Sequence, residues 1–460
     1  MQPTQLDRQV LDRAVQARRG EYVTLLRELV ESPSVSMQAE HRGDCRRTAA
    51  IAVRWIERCG GKARSVETAG NPVVVGFLEG PPGAPTVTIY NHLDVQPAAA
   101  GKDGWTRQPF AFAEEGDRFY GRGATDDKGP AATALMGAVL ARELGVPINV
   151  RLLWEMEEEI GSTHFEPFLA AEHDDLKSDC VVVSDTLWLA QGKPAIPYGL
   201  RGVATALLRL ETGTKDAHSG VTGGAARNPI AELCQVIAGC LDGRTGEIKI
   251  DGFEKTWQPA APDEVDDFVA SGFDVQGFMR AQGFKSLRAS DPREVTQRIW
   301  ARPTMEIHGL AGGYQGEGVK TSIPPLAEAK VSFRLVAPQD PQEILDLLRA
   351  HVRRLNPDVQ VIDSHGVRAF LGERRGPLAV ASADAMEFGF GVRPSFIREG
   401  GSIGAVILME KYLKAPITLL GISLPEHGYH GPDEFFDWGQ AAGGMAMFAY
   451  FFERLGALRA

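Results

Sequence analysis

The sequence predicts an α/β protein: a mixed, largely parallel sheet flanked by helices, with a smaller α+β layer inserted into it. Three observations lead there. Short apolar runs rich in β-branched residues, PVVVGF at 72–77, PTVTIY at 85–90, INVRLLW at 148–154, DCVVVSD at 179–185 and ITLLGIS at 417–423, are separated by helical patterns. The middle of the chain instead shows strands with one polar face: 204–213, 303–310, 328–336 and 359–367. The length, 460 residues, is also more than one core usually organises.

Each element has its own warrant. Residues 5–32 carry apolar positions at helical spacing, with Leu25, Leu26, Leu29 and Val30 on the inner face. Residues 44–60 read as a helix closed by Gly60-Gly61, and 129–145 as another that leads directly into INVRLLW. Helices at 228–241 and 341–355 complete the inserted layer. The expected division is 1–202 and 383–460 for the α/β domain and 203–382 for the insert.

Composition narrows the function. A hydrophobic content of 43% and a charged content of 24% belong to a globular chain, and a net charge of −11 argues against nucleic acid or an anionic membrane as partner. No apolar run is long enough to span a membrane. Five cysteines without a CxxC pair fit a reducing, cytoplasmic setting.

Acidic groups and histidines gather just after the apolar strands. PTVTIY is followed by Asn91-His92-Leu93-Asp94, INVRLLW by Glu155, Glu157, Glu158 and Glu159, DCVVVSD ends in Asp185, and ITLLGIS precedes His427 and His430. Sites in such sheets form beyond the carboxyl ends of the strands. The glycine-rich GRGATDDKG at 121–129 adds Asp126 and Asp127 and lacks the spacing of a phosphate loop. So many carboxylates cannot all ionise together unless cations compensate them. Two divalent ions about 4 Å apart and bridged by a carboxylate resolve the conflict. Mixed histidine and carboxylate ligands suit zinc, with manganese or cobalt as alternatives. Singly, each signal has a bland reading: a structural histidine, an acidic helix start, an N-cap. His41, His164, His173, His351 and His365 are read as surface or structural residues, and Cys180 as a small buried hydrophobe.

Taken in order, NHLDVQP, GRGATDDKG, EMEEEIGS, VVSDTLW, IPYGLRG, DAHSGVTGG, GVKTSIP, VSFRLV, REGGSIG and HGYHGPDE resemble the M20 metallopeptidases over nearly the whole chain, most closely the carnosinase and cytosolic nonspecific dipeptidase branch. The resemblance implies a di-metal catalytic domain with an inserted lid that forms a homodimer. It implies His92 and Asp185 as ligands of one metal, Glu159 and His430 of the other, and Asp126 as the bridge. It implies Glu158 as general base and Asp94 as the carboxylate orienting His92. His218 is implied to act at the reacting carbonyl of a neighbouring subunit, Arg334 to bind the terminal carboxylate, and Gly401 and Ser402 to cradle the substrate. Asn91 and Asp127 stand where the family commonly has glycine and asparagine or methionine, and Asp433 where asparagine is common.

The implied activity is hydrolysis of a dipeptide or dipeptide-like amide. An N-acyl or N-carbamoyl amino acid is the alternative substrate, and a silent binding protein on the same fold is the reading from another class. The first needs every ligand and the base in place, and all are present. Glu155 and Glu157 are expected to face away from the chemistry.

Overall fold

The computed structural model describes residues 6–101 and 103–458. The chain divides into two compact units. The first runs up to Tyr198 and takes in Gly372–Ile397 and everything from Ile403; the second is Gly199–Leu371 with Arg398–Ser402.

The first unit is built on a six-stranded sheet. Its strands include Lys62–Val66 (β1), Val73–Leu78 (β2), Thr86–His92 (β3), Asn149–Glu155 (β4) and Cys180–Val183 (β5). The spatial order is β1, β2, β4, β3, β5 and then the strand Ile417–Leu419. β3 pairs parallel with both β4 and β5, and β5 pairs parallel with Ile417–Leu419. β1 and β2 make the antiparallel part, β1 on β2 and β2 on β4. The parallel strands are buried on both faces, which is why Cys180–Val183 reads as an unbroken apolar run. β1 was not legible: KARSV is polar and partly exposed, as an edge strand is.

Helix Lys128–Glu143 is buried from Lys128 to Ala141 and packs against Trp438–Leu458. Their approach is close at Gly137, where a Cβ would stand 2.8 Å from that of Phe448. Helix Pro377–Phe390 also packs on Trp438–Leu458 through an alanine-rich face that includes Ala381 and Ala385. It therefore belongs to the first unit, although a boundary at 382 would cut through it.

The second unit carries a four-stranded antiparallel sheet of Gly202–Glu211 (β6), Thr304–Gly312 (β7), Leu326–Leu335 (β8) and Gln360–Val367 (β9), in the order β7, β8, β6, β9. Helices Pro229–Cys240 and Pro341–Leu355 cover one face, burying Leu208, Phe333, Leu233 and Leu348 together. Both helices start on a side-chain cap, Asn228 and Asp340, followed by proline. The stretch 252–302, irregular in the sequence, folds into short helices at Pro262–Ala270, Val275–Ala281 and Pro292–Thr296. Among the described residues no helix is long and apolar enough to cross a membrane.

Candidate metal centre

The parallel register brings the ends of β3, β4 and β5 to one edge. His92 closes β3 opposite Glu155, the last residue of β4, and Asp185 follows β5 by two residues. The loop Gly121–Asp127 crosses the same edge. Buried Glu434 holds it, accepting the N–H groups of Gly123 at 2.8 Å, Thr125 at 2.8 Å and Asp126 at 3.1 Å. Arg122 completes that arrangement with a 2.8 Å ion pair to Glu434. His427, the bystander of the two late histidines, is fully buried and bonds Asp437 and Thr125.

Asp126 lies between two histidines. Its Oδ1 is 3.0 Å from His92 Nε2 and its Oδ2 is 2.9 Å from His430 Nε2. His430, in a left-handed turn at φ 57°, also approaches Glu159 Oε2 at 3.2 Å. Asp185 Oδ2 is 3.7 Å from His92 Nε2, and its Oδ1 accepts the Tyr429 hydroxyl at 2.5 Å. Two groups of potential ligands result: His92, Asp127 and Asp185, and Asp126, Glu159 and His430, each with donor atoms within 4.8 Å of one another. The geometry thus groups Asp127 with His92 and Asp185 as a further potential ligand, and places Asp126 facing both histidines.

His92 is oriented chiefly by the backbone. Its Nδ1–H donates to the Asp94 carbonyl at 3.0 Å, with Asp94 Oδ1 at 3.4 Å. The Asp94 carboxylate instead accepts the N–H groups of Glu158 at 3.2 Å and Glu159 at 3.1 Å. It anchors the turn bearing both glutamates, which Gly161 closes at φ 83°.

The other two acids of EMEEE are structural. Glu155 accepts from the Tyr90 hydroxyl and from Ser162. Glu157 accepts the Asn71 and His164 N–H groups and faces His164 Nδ1 at 2.8 Å. Glu158 differs: among the described residues its carboxyl makes no hydrogen bond. Gln96, Tyr429 and Glu434 escaped the sequence reading. Gln96 donates to Glu159 at 2.7 Å, but nothing in a lone glutamine signals such a contact.

The electrostatics show what the cluster lacks. Burial, reinforced by neighbouring acids including Asp185, drives Glu158 and Asp127 well above the ordinary carboxylate range, and burial with Asp126 takes Asp185 up to about 7. Burial would raise Asp126 as well, but His430 and His92 hold it low. Asp127 and Asp185 each bring a carboxylate oxygen within 4.8 Å of a His92 nitrogen, and one imidazole cannot compensate both. Asp127 Oδ1 is buried with no hydrogen-bond partner among the described residues, while its Oδ2 accepts from Asn91 at 2.7 Å. An orphaned, buried carboxylate oxygen beside an imidazole nitrogen is what a cation would satisfy. The residues fit a di-metal site.

The remaining expected residues lie in the second unit. His218 is exposed, and its Nδ1 accepts the Gly220 N–H at 3.0 Å. Arg334 donates to Ser402 Oγ at 3.1 Å, and the Ser402 hydroxyl donates to the Arg201 carbonyl. Gly401 is exposed and accepts the Arg201 N–H through its carbonyl at 3.1 Å.

Comparison with known proteins agrees with this geometry. The profile of peptidase family M20/M25/M40 matches residues 88–454. The chain is 31% identical to the Cys-Gly metallodipeptidase dug1 of Schizosaccharomyces pombe, over 96% of this chain and 97% of that protein. It is 29% identical to the Beta-Ala-His dipeptidase of Homo sapiens, over 96% and 91%. Among solved structures, the M20 family metallo-carboxypeptidase Sso-CP2 of Sulfolobus solfataricus superposes with a TM-score of 0.86 at 28% identity, covering 95% of this chain and 99% of that one. The di-peptidase Dug1p of Saccharomyces cerevisiae gives a TM-score of 0.82 at 26% identity, covering 98% and 99%. With its ligand clusters intact, this chain is a metallohydrolase belonging to peptidase family M20/M25/M40.

Proposed function

We propose that the protein hydrolyses the amide bond of dipeptides or dipeptide-like substrates with two divalent metal ions, zinc by the chemistry of its ligands, or manganese or cobalt in its place. The observation that carries the reading is the pairing of two ligand clusters with one acid, Glu158, that has no hydrogen-bonded partner among the described residues. Three of the four relatives named above, the Schizosaccharomyces pombe and Homo sapiens proteins and Dug1p, are dipeptidases, which favours this substrate class.

His92, Asp127 and Asp185 would hold one ion and Asp126, Glu159 and His430 the other, with Asp126 facing both. When bound, the ions polarise a carbonyl and acidify water. Glu158 takes one proton from the attacking water and returns it to the departing amine, so no net proton is consumed in breaking the C–N bond. Asp94 keeps Glu158 and Glu159 in register. Arg334 binds the terminal carboxylate, Gly401 and Ser402 shape its surroundings, and His218 stabilises the oxyanion, an effect worth about 3–4 kcal/mol for a single donor.

The second unit, whose main segment is Gly199–Leu371 where the sequence suggested 203–382, serves as lid and dimer contact, so that His218 acts on the partner's substrate. Val221 and Val319, 81% and 91% exposed, support this, because both flank the short strands that carry His218 and pair it with Ser322. Five free cysteines support a cytoplasmic location.

Glu158→Gln tests the reading. Turnover of a dipeptide panel should fall by about 10²–10⁴-fold or more while metal content stays at the wild-type level. Wild-type turnover in that variant would remove Glu158 from the mechanism. A panel extended to N-acyl and N-carbamoyl amino acids separates the substrate classes.

A further inference from the structure

The second unit contains a cavity of about 840 Å³, lined by Arg201, Arg334, Trp257, Phe278, Ile299 and Pro303 among others. Of the arginines that line it, Arg298 and Arg302 are paired with Glu294, whereas Arg201 and Arg334 are joined through Ser402. Among the described residues neither forms an ion pair, and Glu306 is the acid whose field reaches Arg201. Arg201 spends one N–H on the Gly400 carbonyl at 3.3 Å, and its Nη2 lies 3.0 Å from where a Gly400 Cβ would be. A side chain at position 400 would therefore push the guanidinium aside. Ser402 ties the pair together, accepting from Arg334 Nη1 and donating to the Arg201 backbone carbonyl.

Burial, and then the charge of Arg334, push Arg201 down to about 10. Both half-buried arginines line the one cavity and are linked through Ser402, with N–H donors left over. Paired guanidinia of this kind match the geometry of a carboxylate, which accepts two parallel N–H bonds.

We infer that Arg201 joins Arg334 in holding the C-terminal carboxylate of the substrate, with the residue that bears this carboxylate lodged in the cavity they line. This deepens, and rests on, the dipeptidase reading. Trp257, Phe278 and Ile299 make the cavity suited to a large apolar C-terminal residue rather than to glycine. Arg201 is then a binding residue, and its loss acts on affinity more than on the rate of the bound complex.

Binding read without turnover tests it. Calorimetric titration of the full-length, metal-loaded protein with N-acetylphenylalanine and with its C-terminal amide should show the acid bound at least about tenfold more tightly. Arg201→Ala should weaken the acid by about tenfold or more and leave the amide within about twofold, while Arg201→Lys, keeping the charge without the fork, should recover part of the loss. Unfolding midpoints of the three proteins, expected to agree, establish that the lysine variant is folded. Acid binding unchanged in Arg201→Ala, or acid and amide bound equally by wild type, would overturn the inference. Dipeptide turnover is measured on the same samples. Its absence beside Arg201-dependent acid binding would sink the dipeptidase reading and still support the carboxylate seat.

Discussion

The carboxylate of Asp94 accepts the backbone N–H of Glu158 at 3.2 Å, its Oδ1 reaching from just beyond β3 to the turn just beyond β4. The other oxygen accepts the Glu159 N–H, so one buried side chain fixes the backbone of both the proposed base and a proposed ligand. The His92 ring is held by the same residue, through its carbonyl.

Replacing Asp94 should therefore harm two things together. Asp94→Ala leaves two N–H groups without acceptors and frees the turn. Metal affinity should fall by about 10–100-fold, as for other residues that orient ligands, with turnover falling at least as far. Asp94→Asn keeps one acceptor oxygen and should lie between. Competition against a fluorescent chelator, together with kcat, checks both effects. Weakened turnover with unchanged metal affinity would confine Asp94 to positioning Glu158.

Glu434 offers a stability measurement. It accepts three loop N–H groups and pairs with buried Arg122. Glu434→Ala leaves that guanidinium uncompensated, which costs about 3–5 kcal/mol in comparable buried pairs. The denaturant midpoint should drop accordingly, and metal binding should weaken because the loop carries Asp126 and Asp127. A midpoint within about 0.5 kcal/mol of wild type would contradict this account of the loop.

Much of this was legible in the sequence, for a physical reason. Strands buried on both faces must be apolar, so acids clustered after them stand out, and the parallel order carries them to one edge. That drew His92, Asp94, the glutamates of 155–159, Asp126, Asp127, Asp185, His427 and His430 to one edge; it was the family resemblance that picked His92, Asp126, Glu159, Asp185 and His430 out of them as ligands. What stayed hidden depends on approach in three dimensions. Asp127 was seen as extra charge; its place beside His92 follows from the way the loop crosses the sheet. Tyr429 reaches Asp185 and Gln96 reaches Glu159 from segments whose types carry no signal. The same holds for β1, whose polar sequence pairs on an edge, and for Glu434, whose role is to hold backbone.

The pH dependence of the metal-free protein follows from the direction of the shifts. Burial raises Glu155 from 4.5 to about 8 and Glu434 from 4.5 to about 7. Asp185 rises from 3.8 to about 7, again through burial first. Between the unfolded and folded values the folded chain holds protons that the unfolded chain has released, so stability falls as pH rises from about 4 to about 8. His430, raised to about 10 by Asp126 and Glu159, acts in the same direction: its contribution is complete below 6.5 and is lost as pH rises through the folded value. Denaturant midpoints of the metal-free protein should decline across that range. Glu155→Gln should flatten part of the decline. Metal ligation needs ionised carboxylates and neutral imidazoles, so binding at about pH 6 should release protons. Titration calorimetry in two buffers of different ionisation enthalpy reads that release directly.

The most direct measurement is a metal titration read by turnover. The purified protein is stripped with a chelator, dialysed, and titrated with zinc or with manganese while cleavage of a dipeptide is followed. The account expects no activity in the stripped protein and recovery that is complete only once two equivalents are bound. Full activity in stripped protein, or full recovery on a single equivalent, would contradict a mechanism built on the two ligand clusters that meet at Asp126.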